Sequence, residues 1–263
     1  MWKSQRRDKL KAAPFPPDWS RVLDERFPLC ARLPEADRKE LQGHIQVFLD
    51  EKKFEGCGGL VLTQEMKVCI AAQACVLLLH RPTDYYPGLR SILVYPSTYF
   101  MTATRHVGSG VIEERLDSRL GEAWDSGAVV LAWDAVAGGA ANPQDGHNVV
   151  FHEFAHLLDF EDGRADGAPV LDGQGLWPRR GNPYAAWARV LRGEYEQHRV
   201  RAESGQPSVL DSYGATNPAE FFAVATEAFF ERPRALQQGH PALYNELKAF
   251  YRQDPARWNP AAE

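Results

Sequence analysis

The chain has 263 residues, of which 44% are hydrophobic and 25% charged. This composition is typical of a folded globular protein, and it excludes a disordered or fibrous chain. The net charge of -5, without a basic stripe, argues against direct nucleic-acid binding. No apolar run follows the positively charged N-terminus, and none elsewhere is long enough to span a bilayer, so we expect a cytoplasmic protein that does not contact membranes.

The first part of the sequence predicts helices. After a Pro-rich lead, apolar residues recur at helical spacing from Pro34 to Lys53. A second helix begins at Thr63, is apolar on nearly all sides to Leu79, and therefore belongs in a core. We expect residues 1–55 to form a helical extension packed on a catalytic domain of residues 56–263. The four cysteines form no CxxC pair, which predicts reduced thiols and no thiolate metal site.

The rest of the chain mixes strands and helices. Short β-branched and aromatic runs predict strands at Ser91–Tyr95 and Ala128–Trp133, and the glycine-rich, charged stretch between them is a candidate hairpin at Val107–Ser126. A loop of small residues is expected at Gly138–Gly146. Further helices are predicted at residues 184–201, 218–231 and 241–252. The pattern predicts an α+β fold in which helices are in the majority.

The segment VVFHEFAHLLD carries the clearest chemical signal. His152 and His156 are four residues apart, so on a helix they share a face and can bind one metal ion. Neutral imidazoles suit zinc, and three protein ligands leave a position for water whose pKa the metal lowers. Glu153 follows the first histidine and can accept a proton from that water. The motif therefore predicts a zinc peptidase with one Zn²⁺ per chain.

Two nearby polar residues have less certain meaning. His147 lies about 140° around the helix from His152, so it cannot share the same metal from this helix. Asp159 lies on the same face as the two histidines. It is either a carboxylate that holds an imidazole N–H or a charge at the helix end, and the sequence favours neither.

The third ligand is expected in the segment SYGATNPAEFFAVATEAFFERP. Asn217 is a good N-cap, Pro218 suits the first helical position, and Glu220 falls at the third. Glu220 is therefore either a ligand or the reciprocal partner of a capping box. Glu227, seven residues later on the same face, is the competing ligand. A carboxylate in so apolar a helix usually needs a partner.

These blocks, together with GEAW and VVLAWD upstream, resemble the Mlc titration factor A family of glucose-regulated metallopeptidases of the gluzincin type. The resemblance runs from about Cys57 to the C-terminus. It implies a zincin-like, mostly helical domain with a small sheet beside the HExxH helix. The same blocks are similar to the catalytic domain of anthrax lethal factor, in which a tyrosine seven residues before the glutamate ligand faces the metal.

The resemblance implies a role for each matching residue. His152, His156 and Glu220 take the ligand positions, Glu153 that of the general base, and Tyr213 that of the tyrosine, which could donate to an oxyanion. Glu227 then takes an outer or structural role. As in many zinc peptidases, the strand at Val129–Trp133 is expected to align an extended substrate along its edge.

Two functions follow from the resemblance. Members of the family are described as aminopeptidases on model substrates and as binding the glucose repressor Mlc, which then leaves its operators. The chain is therefore expected either to cleave peptides or to sequester a repressor, and the two activities are compatible. Glu153 favours chemistry, since a structural zinc site needs no general base.

Overall fold

The computed structural model describes residues 2–98, 127–171 and 183–258. These residues fall into two compact units. The first comprises the described residues up to 142 except 79–82, and the second comprises 79–82 and the described residues from 143 to 258. The predicted division between residues 55 and 56 stays a prediction.

The first unit contains a three-stranded sheet and six helices among its described residues. The strands pair in parallel in the order β1-β2-β3, with Lys53 opposite Ser91 and Ser91 opposite Ala128. Within the described residues β3 pairs with β2 alone, so its other edge is an end of this sheet. The elements are α1 (Lys3–Ala12), α2 (Pro17–Arg26), α3 (Leu29–Arg32), α4 (Glu35–Glu51), β1 (Lys53–Gly56), α5 (Gln64–Val76), β2 (Ser91–Tyr95), β3 (Ala128–Ala132) and α6 (Trp133–Ala141).

Helix α5 forms the core of the first unit, as its sequence predicts. The Thr63 hydroxyl caps it by accepting the Met66 N–H at 3.2 Å. Every residue from Val68 to Val76 is buried. Cys69 and Cys75 lie in this core as free thiols, and burial raises the pKa of Cys69 to about 12. Such a thiol is a poor nucleophile and a poor metal ligand, in line with the expectation of reduced cysteines.

Helix α1 is attached to the first unit by charge. None of its residues is buried. Arg7 forms two hydrogen bonds to the Glu51 carboxylate, at 2.7 and 2.8 Å, and lies 2.6 Å from Asp84. Arg6 pairs with Asp50 at 2.7 Å. The sequence pattern did not predict this helix, because without apolar residues at helical spacing it has no face to bury.

The second unit is helical throughout its described residues. Its elements are α7 (Val149–Asp159), a 3-10 turn (Phe160–Asp162), α8 (Pro183–Glu203), a 3-10 turn (Ser212–Ala215), α9 (Pro218–Glu231), α10 (Pro233–Gly239), α11 (Pro241–Tyr251) and a 3-10 turn (Pro255–Arg257). Aromatic rings fill its core. Phe229 packs on Tyr251 at 5.6 Å between ring centroids, and Trp187 packs on Phe222 at 5.9 Å.

The predicted elements agree with the structure except around residue 138. The predicted loop at Gly138–Gly146 is wrong in its first part, since α6 continues to Ala141. Glycine disfavours a helix by about 1 kcal/mol, but burial of Val136, Gly139 and Ala140 stabilises this one through tertiary packing. The short β1 and α10 were also missed. The candidate hairpin at Val107–Ser126 lies outside the described residues.

In the part of the chain that the structure describes, no helix combines the length and apolar character needed to cross a membrane. Together, the helices and the small parallel sheet make a mostly helical α+β protein, which confirms the predicted fold class.

Candidate metal centre

Helix α7 places two imidazoles side by side. Asn148 caps the helix, and its side-chain oxygen accepts the N–H groups of Val150 and Phe151 at 3.1 and 3.0 Å. From this start, His152 and His156 stand one turn apart on one face. Their ring centroids are 4.8 Å apart, and their Nε2 atoms are 3.2 Å apart. The two nitrogens are therefore close enough to share a single ion.

Helix α9 brings a carboxylate to the same point. Asn217 caps this helix by accepting the Glu220 N–H at 2.9 Å, and Pro218 occupies the first turn. The Glu220 carboxylate is directed to the imidazoles: its Oε2 lies 2.9 Å from Nε2 of His152 and 3.3 Å from Nε2 of His156. Asn217 thus fixes the backbone of Glu220, while the side chain of Glu220 contacts the two histidines.

The three atoms fit the ligand triangle of one metal ion. A tetrahedral zinc with bonds of about 2.0–2.1 Å separates its ligand atoms by about 3.3 Å. The measured sides of 2.9, 3.2 and 3.3 Å match that spacing. Among the described ranges, His152, His156 and Glu220 are the one group of three or more His, Cys, Asp or Glu side chains arranged to hold a metal.

The electrostatics of the cluster also favour a cation. Burial lowers the pKa of His152, but hydrogen bonds to Glu220 and Glu227 outweigh burial and raise it to about 10. Burial raises the pKa of Glu220, yet the two histidines bring it down to about 2. These buried carboxylates thus favour positive charge on His152. A divalent metal would supply that charge directly.

Glu227 contacts the first histidine from its outer side. Its Oε1 lies 2.8 Å from Nδ1 of His152, the ring nitrogen that faces away from Glu220, and its Oε2 accepts the Asn148 N–H at 2.5 Å. Glu227 is not part of the group of His152, His156 and Glu220 that could hold a metal ion. Its contact with Nδ1 leaves Nε2 of His152 directed at Glu220, the arrangement common for carboxylates behind metal-binding histidines.

Glu153 and Tyr213 lie next to the ligands. Glu153 is 7% exposed, and its charge raises the pKa of His152. Tyr213 is 44% exposed, and its ring centroid is 6.0 Å from that of His152. Asp211 holds the tyrosine in its 3-10 turn by accepting the Tyr213 N–H at 2.7 Å. The structure thus places Glu153 and Tyr213 beside the group formed by His152, His156 and Glu220.

Asp159 lies at the far end of α7, fully buried. Its Oδ2 accepts the Gly167 N–H at 2.8 Å, and burial raises its pKa to about 7. Gly167 has a φ of +77°, and a Cβ there would lie 2.5 Å from the Pro218 carbonyl oxygen. The Trp187 indole donates to the Gly167 carbonyl at 2.9 Å. Asp159 therefore ties the loop after α7 to the start of α9.

Sequence reasoning missed two residues that support the cluster. Asn148 and Glu231 are 1% and 3% exposed, and the Asn148 amide donates to Glu231 Oε1 at 3.1 Å. A signal for both existed: Asn148 directly precedes the predicted helix, and Glu231 lies on the same helical face as Glu220. His147, excluded as a ligand, is an exposed residue 3.7 Å from Asp211.

The sequence is similar to those of several curated proteins over most of its length. The uncharacterized protein slr2042 of Synechocystis sp. is 43% identical over 255 residues, which cover 97% of this chain and 90% of the relative. Mlc titration factor A of Yersinia pestis (strain Pestoides F) is 29% identical over 240 residues, which cover 90% and 84%. The same figures hold for Mlc titration factor A of Yersinia pseudotuberculosis serotype IB.

The family model described as glucose-regulated metallo-peptidase M90 matches residues 1–252. The match includes the first 55 residues, whose sequence was less diagnostic. Its second unit carries two histidines and a glutamate that could hold a metal ion, and the chain belongs to the glucose-regulated metallo-peptidase M90 family.

Proposed function

We propose that the protein is a zinc-dependent peptidase in which His152, His156 and Glu220 hold one Zn²⁺. The observation that carries the proposal is the triangle of ligand atoms, with sides of 2.9–3.3 Å. Two imidazoles and one carboxylate are a common donor set for catalytic zinc. When bound, zinc would act as a Lewis acid that polarises the scissile carbonyl and makes water more acidic.

Glu153 acts as the general base. It takes a proton from the attacking water as the water oxygen adds to the peptide carbonyl carbon. It then delivers that proton to the leaving nitrogen as the C–N bond breaks, so the carboxylate is regenerated. Its position beside His152 supports this role, since a general base must lie next to the water that it activates.

Tyr213 donates a hydrogen bond to the oxyanion of the tetrahedral intermediate. Its half-exposed ring beside His152 supports this role, because a donor there faces both the cluster and the solvent from which a substrate enters. Glu227 holds the His152 ring in the orientation that presents Nε2 to the metal. The substrate is a peptide or protein, and the reaction is aminopeptidase-like.

The proposal is tested by metal content and turnover of three variants. His152→Ala and His156→Ala should each lose the one zinc per chain, because two remaining ligands hold zinc poorly. Glu153→Gln should keep zinc and fold but lose at least 10² in turnover, since an amide cannot take the proton. Zinc content unchanged in both histidine variants would refute the metal site, and turnover above about a tenth of wild type in Glu153→Gln would refute the base.

Substrate termini distinguish the mode of cleavage. An aminopeptidase needs a free α-amino group, so acetylation of a peptide substrate should stop its cleavage. A peptide library in matched free and acetylated forms, with products identified by mass spectrometry, makes the measurement. Internal cleavage of acetylated peptides would identify an endopeptidase.

A second candidate function is binding of the repressor Mlc, supported by similarity to proteins named Mlc titration factor A. If binding and catalysis are separate, Glu153→Gln should bind purified Mlc as wild type does while cleavage stops. Pull-down and titration with Mlc make the test. Absence of binding by the wild-type protein would refute this function and leave the peptidase proposal standing.

A further inference from the structure

Three carboxylates of α9 form a row along the side of α7. At 100° per residue, Glu227 and Glu231 each lie within about 20° of Glu220 around the helix. Glu220 meets His152 and His156, Glu227 meets His152 and Asn148, and Glu231 meets Asn148 and Gly146. The helices therefore run in opposite directions, and each carboxylate contacts the next part of α7 in turn.

Asn148 lies beside Glu227 and Glu231, and its polar groups form hydrogen bonds there. Its side-chain oxygen caps α7, and its backbone N–H donates to Glu227. Its amide nitrogen donates to Glu231 Oε1 at 3.1 Å, while Glu231 Oε2 accepts the Gly146 N–H at 3.0 Å. Two carboxylates of α9 thus hold the start of α7, and His152 follows Asn148 by about one helical turn.

We propose that Glu231 is a positioning residue of the metal centre, which acts through Asn148 to fix where α7 begins relative to Glu220. The inference rests on the proposed zinc site. A rigid cap of α7 keeps His152 and His156 at their separation from Glu220, and a displacement of well under 1 Å would spoil a tetrahedral ligand set. The hydrogen bonds of Glu231 go to Gly146 and Asn148, not to the proposed ligands.

The chemistry of Glu231 favours this role over simple support of the fold. Burying a carboxylate is costly unless hydrogen bonds compensate. Both oxygens of Glu231 accept N–H groups, and both donors belong to the three residues that directly precede α7. A glutamine could accept at one oxygen only, and its NH₂ group would oppose the other donor.

The test measures zinc affinity by chelator competition in the full-length protein. Glu231→Gln should bind zinc about 10-fold more weakly, the lower end for loss of an outer partner. Asn148→Ser keeps a good N-cap but removes the amide donor, so a similar loss is expected. Both substitutions remove the same hydrogen bond between Asn148 and Glu231. The double variant should therefore lose no more zinc affinity than either single variant. The Co²⁺ absorption band should shift in all three.

Glu194→Gln is the matched control. Glu194 is a largely buried carboxylate of the second unit that holds His240 at 2.7 Å. Its exchange should alter stability while leaving zinc affinity within twofold of wild type. Equal zinc affinity in Glu231→Gln and Glu194→Gln, or multiplication of the two single losses in the double variant, would overturn the proposal. Should Glu231→Gln not fold, Asn148→Ser decides alone: an unchanged affinity overturns it. A wild-type protein without zinc would instead refute the proposed function.

Discussion

Helices α1 and α9 use charge in opposite ways. No residue of α1 is buried, and Lys3, Arg6 and Arg7 pair with acidic residues of the first unit. In α9 every residue from Ala219 to Glu231 is buried, including three carboxylates. An exposed pair such as Lys3–Asp84 costs little and contributes little, whereas a buried carboxylate persists only where partners compensate the loss of water. Buried carboxylates that contact the histidines, such as Glu220 and Glu227, therefore indicate the candidate site, whereas the surface pairs of α1 do not.

The largest expected effect tests whether the buried carboxylate of Glu220 is a ligand. Glu220→Gln should abolish activity and reduce zinc affinity sharply, because the amide lacks the charge that a carboxylate gives to the metal. Chelator competition measures the affinity. A capping box accepts Gln as well as Glu, so near-normal zinc binding would mean that Glu220 only caps α9.

The next effect concerns the exposed aromatic residue that precedes α9. Tyr213→Phe should keep zinc and lower turnover by about 10², the smaller loss expected for one oxyanion donor. The drop should appear in kcat more than in KM, since the hydrogen bond forms in the transition state. Steady-state kinetics on one peptide measure both constants. Unchanged kcat would remove Tyr213 from the catalytic residues.

Glu227 should give an intermediate effect. Glu227→Gln loses the acceptor that orients His152, and we expect zinc affinity to fall by about 10- to 100-fold while the protein still binds metal. The same competition assay measures it beside Glu220→Gln. A greater loss of zinc in the Glu227 variant than in the Glu220 variant would reverse the two assignments.

The smallest effects on zinc binding are expected from changes in α1. Arg6→Gln removes a pair whose arginine side chain is 60% exposed, and it should change the free energy of unfolding by less than about 1 kcal/mol. Arg7→Gln removes the two-pronged pair to Glu51, in which the arginine is 13% exposed, and about 1–3 kcal/mol is expected. Urea unfolding measures both. Zinc affinity that changed in either variant would contradict the contrast between the two helices.

The common face of the two histidines and the start of α9 could be predicted because both depend on local sequence. The spacing of His152 and His156 sets their common face, and the Asn217–Pro218 pair sets the start of α9 at the observed residue. Strand Ser91–Tyr95 has the predicted bounds for the same reason. The choice between Glu220 and Glu227 was not local: both lie on one face, and only the family resemblance distinguished them before the packing of α7 against α9 was known.

Other features depend on tertiary contacts that no spacing encodes. Helix α1 is polar on all sides, so only its acidic partners at Asp50, Glu51 and Asp84 explain its position. The glycines of α6 favour a loop until burial is considered. Asp159 could not be assigned from sequence, because its partner is a backbone N–H in a loop without periodic pattern.

Gly167 bears on how this protein can change during evolution. Its N–H is taken by Asp159, its carbonyl by Trp187, and the space for a side chain by the Pro218 carbonyl. Any other residue would strain a left-handed backbone and push the first residue of α9, two positions before Glu220. We therefore expect homologues to differ in the residues next to Gly167 but to keep glycine at this position. Conservation of the metal centre would then require Gly167, although this residue has no side chain that could act in the reaction.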